Sequence, residues 1–243
     1  MAGHSHWAGI KHKKGRQDNL RSKIFSKISR EITVAAKLGD KDPNMNPRLR
    51  TAIQAAKQAN MPKDNITRAI SKSQIKDGKN FENLRYEGFG PYNVAFIIET
   101  LTDNKNRSAS LIRAVLQKKG GRLGESGSTT YLFNNFGIIH LDKKKYKDED
   151  VFELATNLGA KDCFHFDNYH EVICTKEHFY SLKSMFESKF KDFLYSGIEW
   201  RAINNLTLTK VQSQKILEIS ENLNELEDVQ NVYTNTNMTG ILT

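Results

Sequence analysis

The order of strand and helix patterns after Gly78 constrains the fold of this 243-residue chain more than any other feature. Short β-branched and apolar runs indicate strands, and longer segments with helical spacing separate them. Between residues 135 and 204 the order is strand, helix, strand, strand, helix, strand, which is that of a ferredoxin-like domain. Its strands are predicted at 137–141, 162–167, 169–174 and 198–203, and its helices at 148–158 and 176–188.

Two shorter units flank this stretch, and each has two strands around one helix. So few elements bury too little apolar surface to form a stable sheet alone. We therefore expect residues 79–134 and 205–243 to pair into a second, discontinuous ferredoxin-like domain, with residues 135–204 inserted between its halves. The strands of the two units are predicted at 93–100, 129–133, 206–210 and 228–234, and the helices at 108–119 and 212–226.

Residues 1–78 contain a basic arm and then helical patterns. A helix is predicted over 18–38, where apolar residues recur every four positions. A second helix begins at Asn46-Pro47, a good cap followed by proline in the first turn, and a third begins near Pro62. The expected fold class is α+β: an N-terminal three-helix bundle followed by two ferredoxin-like α/β domains, one inserted in the other.

The charge is distributed unevenly along the chain. Residues 1–78 hold 17 Lys and Arg against 6 Asp and Glu, whereas the remainder holds 20 against 22. A localised positive field attracts polyanions, so we expect a nucleic-acid partner: DNA, or rRNA and tRNA on the ribosome, with ribosomal proteins as further partners. A mean hydropathy of −0.61 and short apolar runs exclude a membrane-spanning protein. An anionic membrane surface is a much weaker candidate than nucleic acid for the basic region, and we expect no membrane partner. Two cysteines and a start without an apolar leader indicate the cytoplasm.

Cationic, histidine and tryptophan side chains in this basic region are the candidate nucleic-acid-binding residues. Lysine and arginine neutralise phosphates, whereas tryptophan and histidine stack on exposed bases. Residues 46–76 are compatible with a helix-turn-helix, but the third helix begins with residues poorly suited to reading bases, so phosphate contacts are favoured. The row Arg68, Lys72 and Lys76, taken alone, is more typical of a solvated helix face. The candidates are His6, Trp7, Lys11, His12, Lys13, Lys14, Arg16, Arg21, Lys23, Lys27, Arg48, Arg50, Lys63 and Arg68.

No acid–base pair or nucleophile–base pattern is found in the sequence. The glycine-rich segment 120–127 follows a helix and lacks the Gly-Lys-Ser/Thr ending of a phosphate-binding loop, so a helix-to-strand connection explains it better. Asp103, Lys105 and Arg107 fit a loop at the start of a helix. We therefore expect a protein that is not an enzyme, with no catalytic residues, no cofactor and no small-molecule substrate.

Two cysteines and two histidines near residue 168 resemble a zinc set at first sight. If the hairpin turns at Asn168-Tyr169, Cys163 faces Cys174, and His170 lies about 14 Å away at ~3.4 Å per residue. Zinc needs all its ligands within about 2.3 Å, so no metal site is expected. Cys163, His165, His170 and Cys174 are then surface residues, with Phe164, Phe166 and Ile173 on the core side.

Short ordered motifs run through the chain and together resemble one known family. They are Met1-Ala-Gly-His-Ser-His-Trp7, Ile10-Lys-His-Lys-Lys14, Lys23-Ile-Phe-Ser-Lys27, Asn46-Pro-Arg-Leu-Arg50, Asn60-Met-Pro-Lys-Asp64, Tyr86-Glu-Gly-Phe-Gly-Pro91, Thr102-Asp-Asn-Lys-Asn-Arg107, Gly120-Gly-Arg-Leu-Gly124 and Asp228-Val-Gln-Asn-Val-Tyr233. These motifs are similar to those of the YebC/PmpR family, bacterial proteins described as transcriptional regulators, whose mitochondrial members activate translation of a respiratory oxidase subunit.

The resemblance implies a helical N-terminal domain with two α/β domains, a cytoplasmic location, and DNA binding with control of transcription. It also implies an alternative: a ribosome-associated translational activator that relieves stalling on difficult nascent sequences such as proline runs. The chain departs from the family at Tyr92-Asn93, where two glycines are common. Because glycine permits positive φ and close backbone approach, a contact that depends on glycine in that turn is not expected here.

Overall fold

The structure, a computed structural model, describes residues 17–74 and 81–236. The first described range forms three helices, α1 (Gln17–Leu38), α2 (Pro47–Gln58) and α3 (Lys63–Lys72). They share a core in which alanine is frequent, and small side chains let helix backbones approach closely. Its buried members are Ile32, Ala35, Ala36, Leu49, Ala52, Ala56, Met61, Ile66 and Ala69.

Asn46 fixes the connection between α1 and α2. Its side-chain oxygen accepts a hydrogen bond from the backbone N–H of Leu49 at 3.0 Å, which caps α2 as predicted. Its amide nitrogen donates to the carbonyls of Ala35 and Asp40 at 2.8 and 2.7 Å. A Cβ added at Gly39 would lie 2.7 Å from that nitrogen. The glycine therefore makes room for the buried amide that links the two helices.

The first sheet has the strand order β3-β1-β2-β8 with antiparallel pairing throughout. Its strands are β1 (Glu82–Phe89), β2 (Ala95–Thr102), β3 (Arg122–Leu123) and β8 (Val229–Thr234). Helices α4 (Lys105–Lys118) and α7 (Lys210–Asn224) cover one face. Their core contains Val94, Phe96, Ile98, Ile112, Leu116, Ile216, Ile219, Leu223, Val229 and Val232. The sheet thus joins two segments that are far apart in the sequence.

The connectivity of this sheet differs from the prediction. Strand β1 was not predicted, and the strand predicted at 129–133 is wrong, since Thr130–Leu132 forms a 3-10 turn. The strand predicted at 206–210 is also wrong, because only Leu206 makes a β-bridge there, with Thr236. The sheet is therefore built from strand, strand, helix, strand in the first segment and helix, strand in the second, instead of two βαβ units.

The turn between β1 and β2 contains Tyr92 and Asn93, the pair at which the family resemblance leads us to expect glycines. Tyr92 and Asn93 adopt φ values of 63° and 59°, in the left-handed region. Asparagine tolerates this region, whereas a left-handed residue with a bulky side chain costs about 1–2 kcal/mol. The turn therefore keeps a glycine-like backbone without glycine.

The second sheet has the order β5-β6-β4-β7 and is also antiparallel. Its elements follow the predicted order: β4 (Phe133–Asp142), α5 (Asp148–Asn157), β5 (Asp162–His165), β6 (Tyr169–Thr175), α6 (Phe179–Lys189) and β7 (Phe193–Ala202). Both helices pack on one face. The core there includes Ile139, Leu141, Val151, Ala155, Val172, Cys174, Phe179, Leu182, Phe186 and Phe190.

The two sheets contact each other through β7. Trp200 donates from Nε1 to the carboxylate of Glu99 at 2.9 Å, and the guanidinium carbon of Arg85 lies 5.0 Å from the Trp200 ring centroid. Helix α2 also reaches the second sheet, where Gln58 donates to the Phe193 carbonyl at 2.7 Å. Among the described helices, none combines the length and the apolar composition that a membrane span requires.

Candidate nucleic-acid interface

The predicted nucleic-acid-binding residues divide at the start of α1. Those that precede α1 lie outside the described residues: His6, Trp7, Lys11, His12, Lys13, Lys14 and Arg16. The other predicted residues lie on α1, α2 and α3. They form two groups, one that contacts other parts of the fold and one that is exposed. Lys23, Lys27, Arg48 and Arg50 belong to the first group, and Arg21, Lys63 and Arg68 belong to the second.

Lys27 joins α1 to the end of α7. Its Nζ donates to the backbone oxygen of Asn224 at 3.0 Å. Burial, assisted by the charges of Lys23 and Arg30, lowers the pKa of Lys27 to about 8. Lys23 lies 3.8 Å from Glu225 in an exposed ion pair, which contributes little to stability. Lys27 therefore acts in packing within the fold, and Lys23 is partly neutralised.

Arg48 and Arg50 are also paired within the protein. Arg48 binds both carboxylate oxygens of Glu31, at 2.6 and 3.0 Å, in the fork geometry that arginine favours. Arg50 lies 3.7 Å from Glu187 of α6 and donates to the Pro43 carbonyl at 3.3 Å. These two arginines connect helices to one another, so their charges are compensated before any partner binds.

A cleft between α1 and α3 gathers cations that remain exposed. We call it the α1–α3 cleft; it has a volume of about 240 Å³. Its lining includes two cations, three serine hydroxyls and an amide, and no acidic side chain is among the described residues that line it. The lining residues are Ser22, Phe25, Ser26, Ser29, Met61, Asn65, Arg68, Ala69 and Lys72.

Arg21 extends this positive surface along α1. Its guanidinium carbon lies 5.8 Å from the ring centroid of Phe25, which itself lines the cleft. The chain preceding residue 17 enters α1 at the end that carries Arg21 and Ser22. The predicted arm is thus joined covalently to the helix end nearest the cleft.

The chemistry of the α1–α3 cleft suits a phosphate group. A guanidinium binds two phosphate oxygens at once, an ammonium adds a point charge, and hydroxyls donate further hydrogen bonds. At ~30 Å³ per water, the volume admits a phosphate with part of its water shell. Among the lining residues that the structure describes, two have bulky apolar side chains, Phe25 and Met61. The lining therefore favours recognition of a backbone over recognition of an apolar ligand.

Sequence reasoning missed the serines and left Lys72 out of the site. The signal was present, because Ser22 and Ser26 lie four residues apart on α1, and Arg68 and Lys72 lie four apart on α3. Such spacing places each pair on one helix face. What the sequence did not reveal is that these two faces meet.

Glu87 explains the glycine-rich segment as a structural loop. Its buried carboxylate accepts hydrogen bonds from the backbone N–H groups of Gly127, Thr129 and Thr130 at 3.0, 2.7 and 2.9 Å. The Thr130 hydroxyl adds a bond at 2.6 Å. Burial alone would raise the pKa of Glu87, but these hydrogen bonds hold it at about 2. The loop therefore folds around a protein carboxylate.

The β5–β6 hairpin differs from its predicted register. Phe166 N–H donates to the Tyr169 carbonyl at 2.9 Å, and the pairing places Cys163 opposite Val172 and His165 opposite His170. The predicted Cys163–Cys174 pair is therefore wrong. The predicted inner face is wrong as well, because His170 and Cys174 are buried whereas Phe164 is exposed. A two-residue shift leaves each residue on its face but changes its cross-strand partner.

The fold and its basic helical segment define a member of one protein family. Residues 5–76 match the family profile described as "TACO1/YebC protein N-terminal domain", and residues 81–236 match "TACO1/YebC second and third domain". The chain belongs to the TACO1/YebC family.

Two relatives extend this result over nearly the whole chain. One, from Pelagibacter ubique (strain HTCC1062), is named a "probable transcriptional regulatory protein"; it is 54% identical over 237 residues, which cover 98% of each chain. A crystal structure of a conserved hypothetical protein from Aquifex aeolicus superposes with a TM-score of 0.83 at 41% identity. That match covers 96% of this chain and 97% of the Aquifex chain.

Proposed function

We propose that the protein is a nucleic-acid-binding regulator of gene expression, acting as a DNA-binding transcriptional regulator in the cytoplasm and not as an enzyme. The α1–α3 cleft, together with the basic arm that precedes it, forms the binding surface. The observation that carries this proposal is that Arg68 and Lys72 meet the serines of α1 in a cleft whose described lining contains no acidic side chain. The printed name of the Pelagibacter relative supports the same role.

The exposure of the basic residues reduces the candidate phosphate contacts to a testable set. Arg21, Arg68 and Lys72 are exposed, whereas Lys27, Arg48 and Arg50 are engaged within the fold. We therefore infer that the exposed cations, with the arm residues, neutralise phosphates. Phosphate contacts of this kind give affinity without base specificity, so a sequence preference requires additional contacts or DNA shape.

The test is a charge reversal at the cleft with a matched control. The test variant carries Arg68→Glu and Lys72→Glu in the full chain, which changes the net charge by four. The control variant carries Lys176→Glu and Lys191→Glu at exposed positions beside α6 and changes the net charge by the same amount. Binding of each variant to duplex DNA is measured across salt concentrations. Removing two phosphate contacts lowers the slope of log affinity against log salt by about 2, at ~0.9 per contact.

The control separates a local contact from overall charge. If the two variants lose affinity and salt slope equally, the cleft has no special role and the proposal fails. Saturable binding to a defined duplex in excess competitor DNA supports transcriptional regulation. Stronger binding to rRNA than to that duplex, with co-sedimentation of the protein and ribosomes, instead supports the translational activator.

We also propose a division of labour among three domains, with the boundaries expected from the sequence. Residues 1–78 supply affinity for the phosphate backbone, whereas 79–134 with 205–243, and the inserted 135–204, shape the molecule and contact protein or RNA partners. The charge balance supports this division, because residues 79–243 hold nearly equal numbers of acids and bases.

A further inference from the structure

Two histidines and one aspartate meet at the end of the β5–β6 hairpin. His165 is the last residue of β5, His170 lies directly opposite on β6, and Asp148 is the first residue of α5. The two Nδ1 atoms are 2.7 Å apart, and His170 Nδ1 lies 3.9 Å from Asp148 Oδ1. One potential ligand atom from each side chain lies within 4.8 Å of the other two. The shifted hairpin register creates this cluster.

The surroundings of His170 fix which of its nitrogens faces the cluster. Its Nε2 lies 2.9 Å from the backbone oxygen of Tyr146. A carbonyl only accepts, so Nε2 carries the proton and the neutral ring presents the Nδ1 lone pair to the cluster. Metal-binding histidines are held in the same way, with the second nitrogen donating to a carbonyl or carboxylate. The His170 side chain is fully buried, which prevents it from turning toward solvent.

Asp148 is arranged in a similar way. Its Oδ2 lies 3.3 Å from Lys143 Nζ, whereas its Oδ1 is the oxygen nearer to His170. One carboxylate oxygen is therefore held from outside the cluster and the other faces inward. Asp148 begins α5 and is 44% exposed, so its side chain has room to move toward the histidines.

We propose that His165 Nδ1, His170 Nδ1 and Asp148 Oδ1 bind a divalent transition metal ion of the zinc class, with water as the fourth ligand. Two imidazoles and one carboxylate form a donor set that suits zinc. Nitrogen and oxygen ligands lie about 2.0–2.2 Å from a tetrahedral zinc, which places two ligand nitrogens about 3.3 Å apart. The two Nδ1 atoms, now 2.7 Å apart, therefore need to separate by about 0.6 Å, and the proton that His165 Nδ1 donates to His170 moves to His165 Nε2. The carboxylate moves inward to complete the site. This proposal replaces the expectation of no metal site and is independent of the proposed function.

The consequence of binding is a clamp between distant parts of the second sheet. The ion joins the tip of the β5–β6 hairpin to the start of α5, and a ligand that binds only the folded state raises the unfolding temperature. Since the cluster lies in the second sheet and the α1–α3 cleft lies between N-terminal helices, nucleic-acid binding is expected to continue without the metal.

The test uses the full chain with the arm histidines His4, His6 and His12 changed to glutamine, because the arm itself offers metal ligands. Calorimetry with Zn²⁺ is expected to give one ion per chain, and X-ray absorption of the Zn²⁺ complex is expected to show two imidazoles. His165→Gln and Asp148→Asn each weaken Zn²⁺ binding by more than the 10–100-fold typical of outer-shell changes. His178→Gln, at an exposed histidine of the α6 start, leaves the affinity unchanged.

His165→Gln and Asp148→Asn avoid truncating the buried His170, and circular dichroism confirms that each variant is folded. If Zn²⁺ binds the arm-substituted chain and these variants equally well, the ligand assignment is overturned. If that chain takes up no stoichiometric Zn²⁺, the two histidines form a hydrogen bond only, and the proposal fails.

Discussion

Removal of the Asp228 carboxylate tests how the N-terminal helices are held to the first sheet. Asp228 is nearly fully buried and accepts hydrogen bonds from Arg30 of α1 at 2.9 Å, Thr102 of β2 at 3.0 Å, and Ser108 of α4 at 2.7 Å. Arg107 adds a contact at 2.7 Å. Burial alone would raise the pKa of Asp228, but these bonds lower it. One carboxylate thus joins three elements from distant parts of the chain.

The structure sets the size of the expected loss. Removing one partner of a buried ion pair costs about 3–5 kcal/mol. Arg30 is only 10% exposed, but it keeps bonds to Glu227 and to the Leu101 carbonyl, which places Asp228→Ala near the lower limit. The Arg107 side chain is 42% exposed, so solvent screens its ion pair with Asp228 and the pair contributes little to stability. We expect a loss of about 3 kcal/mol, or a fall of roughly 6–12 °C in Tm for a chain of this size.

Glu227→Ala is the matched control, because Glu227 also pairs with Arg30 but is 78% exposed. Urea unfolding is followed by circular dichroism and by Trp200 fluorescence in a Trp7→Phe background. The Glu227→Ala control is expected to lower the free energy of unfolding by at most about 1 kcal/mol. Arg30→Met costs less in the Asp228→Ala background than in the wild type, since the pair is already broken. Equal losses in Asp228→Ala and Glu227→Ala refute the reasoning.

Three further predictions concern single residues. Glu87 has a folded pKa of about 2 against an ordinary 4.5, so it contributes roughly 3 kcal/mol above pH 5 that is lost as the pH falls toward 2. Glu87→Gln removes this dependence in acid titrations followed by circular dichroism. Lys27 has a pKa lowered from 10.5 to about 8 in the folded state, so its charge destabilises the fold below pH 8. Between pH 8 and 10.5 the free energy of unfolding of the wild type therefore rises relative to that of Lys27→Met. Parallel profiles of unfolding free energy against pH for the two proteins contradict this. Tyr92→Gly removes the strain of a bulky residue at positive φ, and we expect it to stabilise the protein by about 1 kcal/mol. A lower Tm for this variant in thermal unfolding contradicts the strain argument.

Local sequence signals predicted those parts of the fold that depend on neighbouring residues. Asn46-Pro47 marked the start of α2, and the element order of the second sheet followed from periodicity. Strand β1 was missed because its residues are mostly polar and only Glu87 and Gly88 are buried. The strand predicted at 129–133 failed because Glu87, over 40 residues earlier, holds that backbone in a turn. Such a contact leaves no local pattern.

The candidate site, like the fold, was predictable only where it depends on residues close in the sequence. The sequence identified the basic region, but it did not show which cations are compensated, because their partners are distant. Lys27 meets Asn224, and Arg50 meets Glu187. The His165–His170 pair depended on a turn position, and an error of one residue there changed every cross-strand partner in the hairpin. Residue type and spacing indicated the chemistry, and tertiary contacts determined where it is assembled.

The position of β8 has a consequence for folding during synthesis. β8 pairs with β2, yet more than 120 residues separate them, and the complete second sheet is made in between. Residues 133–202 contain all partners of their own sheet and can fold as soon as they leave the ribosome. The edge of β2 stays unpaired until β8 emerges, and exposed strand edges are prone to aggregation. The interval between the synthesis of β2 and that of β8 is therefore the one in which we expect this strand edge to be exposed.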